Sequence, residues 1–416
     1  MPMLLDRSLR ALGCTMVAAS IISTPSILAA PAPSYEVLID QLGLSPATLE
    51  AEALYDAAEA QARQARALPN PSITLEAENA YGSGPYSGYG SADSTISISQ
   101  PLELWGQRGA RIHAAQAEAE AAGLRRDQTR WMTAGRLAIA YAEAEAATLR
   151  HKLAGEALSL TQHELRAAQA LVDQGREPTL RALQANSEVA AAQARLDEAR
   201  ANRDAALAQL TALASLDEPA SSISYSLLDR VPEEPDAFST VPMAVRVAEA
   251  ELDAAEGLVT VEQRRARPDV TASLGMQRFG ETSDKAFMFG VSLSIPIFDR
   301  NKGAISAAQA QQRAAEARLA YSRSEVLAAH RAAQASLGAS NSRTHAADSG
   351  VAAATEAYRL ARIGYDAGRI SQLELRSIRT ALIDARYAAV DARLARVRAE
   401  IDLARLEGRV PFGEAP

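Results

Sequence analysis

Twice along this chain a run of alternating apolar and polar residues ends at a proline and gives way to an alanine-rich run with helical spacing. Phe287, Phe289, Val291, Leu293 and Ile295 alternate with Met288, Gly290, Ser292 and Ser294, the period of a two-faced β-strand. Pro296 closes that run, because proline cannot donate to a strand ladder. From Gly303 the sequence reads as a long helix. The same switch occurs in Ser97 to Ala117, where Pro101 takes the place of Pro296 and Gly109 that of Gly303. Two more alternating runs precede these strands, one with Ile73, Leu75 and Ala77 on a single face, the other with Val270, Ala272, Leu274 and Met276.

The switches belong to a repeat. Ala114 and Ala307, Gly175 and Gly368, and Leu210 and Leu403 are matched pairs, each 193 residues apart. Helical spacing predicts a first hairpin over residues 106–172 and 179–216, and a second over 303–366 and 371–407. The longest runs would reach about 100 Å at 1.5 Å per residue. Each hairpin turns at an Asp-x-Gly-Arg sequence, Asp173 to Arg176 and Asp366 to Arg369.

The last helix shows how such hairpins must pack. Ile383, Tyr387, Val390, Leu394, Val397 and Ile401 form one heptad seam; Ala385, Ala389, Ala392, Arg396, Ala399 and Leu403 form a second. Two polar edges run between them, through Arg379, Arg386, Arg393 and Glu400 and through Asp384, Asp391, Arg398 and Arg405. Neighbours on two sides with water before and behind describe a helix in a one-layer wall.

Four strands of about ten residues with one apolar face match the length of outer-membrane strands. Tyr81, Tyr86, Tyr89, Phe279 and Phe287 lie near their ends, where aromatic side chains favour a membrane interface. Four strands cannot close a barrel, and open edges in lipid leave backbone groups unpaired. A barrel shared between chains is therefore expected, with Pro101 and Pro296 at one level where it joins the helices.

Residues 1–30 carry Arg7 and Arg10, then a mostly apolar run ending near Ala29 and Ala30, the pattern of a secretory signal peptide. The single cysteine, Cys14, falls within it, so no disulfide is expected. A net charge of -8 and a pI near 5.4 argue against a nucleic-acid partner. The five histidines, His113, His151, His163, His330 and His345, are scattered along helices without metal-ligand spacing and are expected on the surface. No nucleophile motif or phosphate loop is present, so neither catalysis nor a cofactor is expected. Asp173 and Asp366 suit turn or cap roles.

This layout resembles the outer-membrane efflux channel family typified by TolC. Three motifs, P-N-P-S-I-T-L-E-A-E-N (69–79), Q-P-L-E-L-W-G-Q-R (100–108) and P-I-F-D-R-N-K-G (296–303), are similar to its CzcC-type branch, which serves tripartite heavy-metal pumps. The resemblance implies a mainly α fold with β: a homotrimeric outer-membrane barrel, four strands per chain, continuous with a periplasmic α-helical tunnel. It implies a passive duct whose tips near Gly175 and Gly368 dock a periplasmic membrane-fusion adaptor above a proton-driven inner-membrane transporter of the RND type. Acidic residues six and nine positions after the second tip glycine narrow the entrance in such channels; here these are Glu374 and Ser377. The implied division is a signal peptide (1–30), an N-terminal periplasmic segment and helix (31–68), a first repeat (69–216), a linker and equatorial helix (217–267), a second repeat (268–408) and a tail (409–416). The competing readings are a duct for drugs or secreted polypeptides, a pore-less periplasmic coiled-coil adaptor, and a soluble β-sandwich patch with coiled-coil arms.

Overall fold

The computed structural model describes residues 30–231 and 241–412. The signal segment with Cys14, the middle of the 217–267 linker and the last four residues lie outside them. Six strands and seven α-helices follow one another as β1 (Ala30–Ala32), α1 (Tyr35–Asp40), α2 (Pro46–Gln64), β2 (Ser72–Glu78), β3 (Asp93–Leu102), α3 (Gln107–Asp173), α4 (Thr179–Leu213), β4 (Ala220–Ile223), α5 (Met243–Arg265), β5 (Asp269–Arg278), β6 (Lys285–Ser294), α6 (Lys302–Asp366) and α7 (Gln372–Glu407). Ser45 caps α2 through its Oγ, which accepts from the Thr48 N–H at 3.4 Å, and Pro46 occupies the first helical position, where its missing N–H costs nothing.

The helices form a single layer. α3 packs against α2, α4, α5 and α7, while α6 packs against α5 and α7. Along the wall the order is therefore α2, α3, α5, α6 near the strands and α4, α3, α7, α6 toward the hairpin turns. The two long helices are not of equal length: α3 has 67 residues and α6 has 65. Counted from the tips the repeat is in register, and the extra residues of α3 fall at the strand end.

The main core sits midway along α3, where Ala134, Ala138, Ala140, Ala142, Ala144 and Ala146 are almost fully buried. These small side chains let Tyr35, Leu38 and Leu42 from the N-terminal segment approach on one side. Leu207 and Leu210 of α4 and Val390, Leu394, Val397 and Ile401 of α7 complete the cluster. The region expected to be a linker contributes as well. β4 pairs in parallel with β1, and Leu227 and Leu228 are 3% and 1% exposed. Glu145 holds that segment, its carboxylate accepting from the N–H groups of Leu227 (2.8 Å) and Leu228 (3.2 Å) and from the Ser226 hydroxyl. Burial raises the Glu145 pKa against the lowering effect of those bonds. Tyr141 donates to the Tyr225 carbonyl, and burial pushes its phenol up to about 12.

Three readings of charged residues are corrected by the packing. Arg379, assigned to a solvated edge of α7, is 4% exposed and paired with Glu164 of α3 and Glu188 of α4. Arg396, assigned to an apolar seam, is 6% exposed and donates to the Leu228 and Arg230 carbonyls at 2.9 and 2.8 Å. His330, expected on the surface, is 6% exposed, with Nε2 3.4 Å from the buried Glu407 carboxylate. A heptad pattern records which positions meet a neighbour, and each of these polar groups meets one that can bond to it.

Candidate channel wall, junction and periplasmic tips

The four long strands make one antiparallel sheet in the order β2-β3-β5-β6. Its register aligns all the apolar alternations on one face. Leu75, Ile96, Met276 and Phe287 form one cross-strand row, and Ile73, Ile98, Leu274 and Phe289 the next. Among the described residues this face is largely uncovered away from the junction: Phe289 is 87%, Phe287 82% and Leu75 78% exposed, and only at the junction end is Val270 buried. The opposite face carries Thr74, Glu76, Glu78, Asp93, Thr95, Ser97, Ser99, Thr271, Ser273, Ser292 and Ser294. An apolar outside, a hydroxyl- and carboxylate-lined inside and two unpaired edges, β2 and β6, describe a sector of a membrane barrel rather than a finished sheet. β2 has seven residues where about ten were expected, because Asn79 turns into the left-handed region at φ 55°. Among the described residues no helix is long and apolar enough to cross a membrane.

At the junction the sequence named Pro101, Pro296, Gly109 and Gly303. Pro101 lies inside the ladder, opposite Thr271 and so on the rung of Ser292, whereas Pro296 follows the last rung of β6. The two prolines are thus offset by four residues along the sheet. Pro101 is tolerated there because β2 ends opposite Ser99, leaving β3 a free edge on that side. Gly109 and Gly303 lie in ordinary helical turns with open space beside them. The residues that turn strand into helix are Gly106 (φ 78°) and Asn301 (φ 53°), each immediately before its helix. Both are types that tolerate the left-handed region, and that signal was present in the sequence. Asn301 Nδ2 also donates to the Glu262 carbonyl and carboxylate, at 2.9 and 2.7 Å, tying the start of α6 to α5.

The two tips are built alike. Gly175 (φ 69°) and Gly368 (φ 70°) close α3 and α6. Arg176 N–H donates to the Leu171 carbonyl at 2.9 Å and Arg369 N–H to the Gly364 carbonyl at 2.8 Å, while the glycine N–H groups bond to Val172 and Tyr365. This is the Schellman arrangement, which uses the free carbonyls of a helix end. Asp173 and Asp366 are the last helical residues, and both they and the arginines point to solvent. Glu374 and Ser377 are exposed in the first turns of α7. The Glu374 N–H donates to Ser371 Oγ at 3.2 Å, so Glu374 occupies the third position of an S-x-x-E capping sequence, a signal the sequence reading passed over.

Above the tips, ion pairs stitch α7 to α3 in antiparallel register: Arg379 to Glu164, Arg386 to Glu156 (3.0 Å), Asp391 to Arg150 (2.6 Å) and Arg398 to Glu143 (2.5 Å). Arg376 reaches Glu188 of α4 at 2.5 Å. Among the described residues no group of three His, Cys, Asp or Glu side chains is placed to hold a metal ion.

A self-incomplete barrel sector continuous with a one-layer helical wall defines a channel subunit, and the chain belongs to the outer membrane efflux protein family, whose model matches residues 38–215 and 243–409. It is an outer-membrane channel with a large periplasmic helical part. Among its relatives, the nickel-cobalt-cadmium resistance protein NccC of Alcaligenes xylosoxydans xylosoxydans is 43% identical over 98% of this chain and 94% of its own length. The cobalt-zinc-cadmium resistance protein CzcC of Cupriavidus metallidurans is 30% identical over 79% of each chain. Among solved structures, that of CusC matches with a TM-score of 0.76 at 18% identity, covering 90% of this chain and 92% of its own.

Proposed function

We propose that three copies of this chain form the outer-membrane exit duct of a tripartite pump that exports heavy-metal cations. The open-edged sheet carries the assembly part of this reading: three four-stranded sectors make twelve strands and leave no edge in lipid. The substrate class rests on the similarity to NccC and CzcC, a nickel-cobalt-cadmium and a cobalt-zinc-cadmium resistance protein. In this reading the exposed tips around Asp173, Gly175, Arg176, Asp366, Gly368 and Arg369 dock a periplasmic adaptor, beneath which an RND transporter supplies the proton-driven step. The metal is cargo here, passing along the hydroxyl- and carboxylate-lined inner face.

Deleting the gene is expected to lower tolerance to nickel, cobalt, cadmium or zinc, restored by the wild-type copy. Unchanged metal tolerance with increased sensitivity to drugs or dyes would instead support the multidrug duct. Single-channel conductance in a planar bilayer tests the pore itself; a purified protein that conducts no ions would favour the coiled-coil adaptor. As the entrance carboxylate, Glu374 should raise cation selectivity, so Glu374→Gln is expected to lower the cation-to-anion permeability ratio without changing trimer yield. For the junction, Pro101 and Pro296 are read as fixing the join between barrel and tunnel. Pro296→Ala is then expected to reduce the yield of folded trimer.

A further inference from the structure

At the outer end of the sheet the apolar face finishes on two cations. Arg278 closes β5 and Lys285 opens β6, and they are the last ladder pair, directly opposite each other. Both share the outward face, two rungs beyond Met276 and Phe287, with Gln277 and Ala286 between them on the inner face. Like charges facing each other across a ladder, with Cβ atoms about 5 Å apart, destabilise a sheet. Neither side chain has an ion-pair or hydrogen-bond partner among the described residues, although Glu281 and Asp284 lie in the loop that joins them. Arginines at the opposite end of the barrel are spent otherwise. Arg108, Arg111, Arg264 and Arg300 all donate to backbone carbonyls that tie the junction together.

Beside the cations stands an ordered aromatic loop. Tyr81 and Tyr89 meet edge to face at 6.5 Å and are 85% and 60% exposed. The loop is braced by Ser91 Oγ donating to the Pro85 carbonyl at 2.8 Å and Ala92 N–H to the Tyr89 carbonyl at 3.2 Å. It carries no charge from Tyr81 to Ala92. Gly280, in the loop between Arg278 and Lys285, packs so closely on Ser91 and Ala92 that a Cβ would stand 2.4 Å from the Ser91 carbonyl carbon. Its N–H donates to Asp93 Oδ1 at 2.8 Å. The cations and the tyrosines therefore sit on two hairpin ends held as one.

We infer that Arg278 and Lys285, with the adjoining tyrosine loop, bind the phosphorylated sugar headgroup of an outer-leaflet glycolipid. The inference rests on the outer-membrane placement of the strands and not on the nature of the exported cargo. A phosphate between the two cations removes their repulsion by charge-assisted hydrogen bonds. The tyrosine faces offer flat apolar surfaces to sugar rings while their hydroxyls remain wet. The apolar rungs below match the acyl chains.

Native mass spectrometry of the delipidated full-length trimer tests this, with diphosphoryl lipid A, the same lipid dephosphorylated, and phosphatidylglycerol as probes. Diphosphoryl lipid A is expected to be retained, saturating at one per protomer. The combined R278Q and K285Q variant is expected to lose about tenfold in affinity, the scale of one or two charge-assisted bonds. The combined R278K and K285R variant should keep it. Equal retention of the dephosphorylated lipid or of phosphatidylglycerol would overturn the inference, as would wild-type retention by the glutamine variant. The three-lipid comparison on wild-type protein decides the matter by itself if that variant does not assemble. Conductance of the same samples separates this outcome from failure of the channel reading.

Discussion

The two hairpins share one repeat and one tip geometry, yet they do different work. In α3 the middle third is buried almost continuously, whereas α6 buries only scattered positions such as Ala308, Leu319, Val326 and Leu337. The short helices differ in the opposite sense: α7 buries Arg379, Val390, Val397 and Ile401, while α4 buries only Ala192, Leu207 and Leu210. α3 and α7 are therefore the interior staves of the protomer. α4 and α6 are its outer staves, each with a side free of neighbours among the described residues. A duplicated sequence thus yields one inward-packed helix from each hairpin, and the exposed helices lie at the same margins as the open strands β2 and β6. A chain whose helical and strand edges coincide can be completed by further copies of itself.

The strongest break of this comparison is at Arg379, whose counterpart in the first repeat is the exposed Asn186. Arg379→Met leaves Glu164 and Glu188 facing each other beside a buried site, and a cost of about 3 kcal/mol is expected for removing one side of such a network. Asn186→Ala should change stability by less than about 0.5 kcal/mol. Denaturant titrations of the two variants, followed by helical signal, check the contrast; equal effects would mean that α4 is as deeply packed as α7.

The tips should behave oppositely, as equals. Gly175→Ala and Gly368→Ala both force a Cβ into the left-handed region with open space around it. Each is expected to cost about 1 to 2 kcal/mol, with the two values agreeing in the same titration. A large difference would show that one tip bears load the other does not. A smaller effect of the other sign is expected at the junction. Gly109→Ala and Gly303→Ala replace helical glycines in open space and should each stabilise by about 0.5 to 1 kcal/mol. Gly106→Ala should destabilise, because Gly106 and not Gly109 carries the positive φ.

These residues also mark how far the sequence could be read. Period 2 and period 3.6 located the four sheet strands and the four long helices, and the Asp-x-Gly-Arg turns were legible because glycine at a helix end has one dominant use. The central core was not legible. It depends on Ala30 to Ala32 meeting a strand at Ala220 to Ile223 nearly two hundred residues away, and strands this short have no measurable period. Arg379, Arg396 and His330 were misread for a related reason: periodicity records the direction a side chain takes but not whether a partner waits there. The Gly106 and Asn301 signals were available and lay three and two residues from the glycines chosen.

The finest test of the asymmetry concerns pH. Glu145 holds the Leu227–Leu228 backbone in the core, whereas its counterpart in α6 is Gly338, with nothing within 4 Å of a Cβ built there. Burial outweighs the three hydrogen bonds and leaves the Glu145 pKa raised in the folded chain. The folded state therefore holds this proton more tightly than the unfolded state does. Its contribution is fully present below the ordinary carboxylate pKa, about 4.3. It is lost as pH rises through the higher folded value, after which the penalty is constant. Glu145→Gln removes the ionisation and should flatten that segment of the stability-pH curve, measured by denaturation between about pH 4 and 7. Gly338→Ala should leave the same segment unchanged. If the wild-type slope over that range survived in Glu145→Gln, the titrating group would have to lie elsewhere, and the first hairpin would lose its claim to a pH-sensitive anchor that the second lacks.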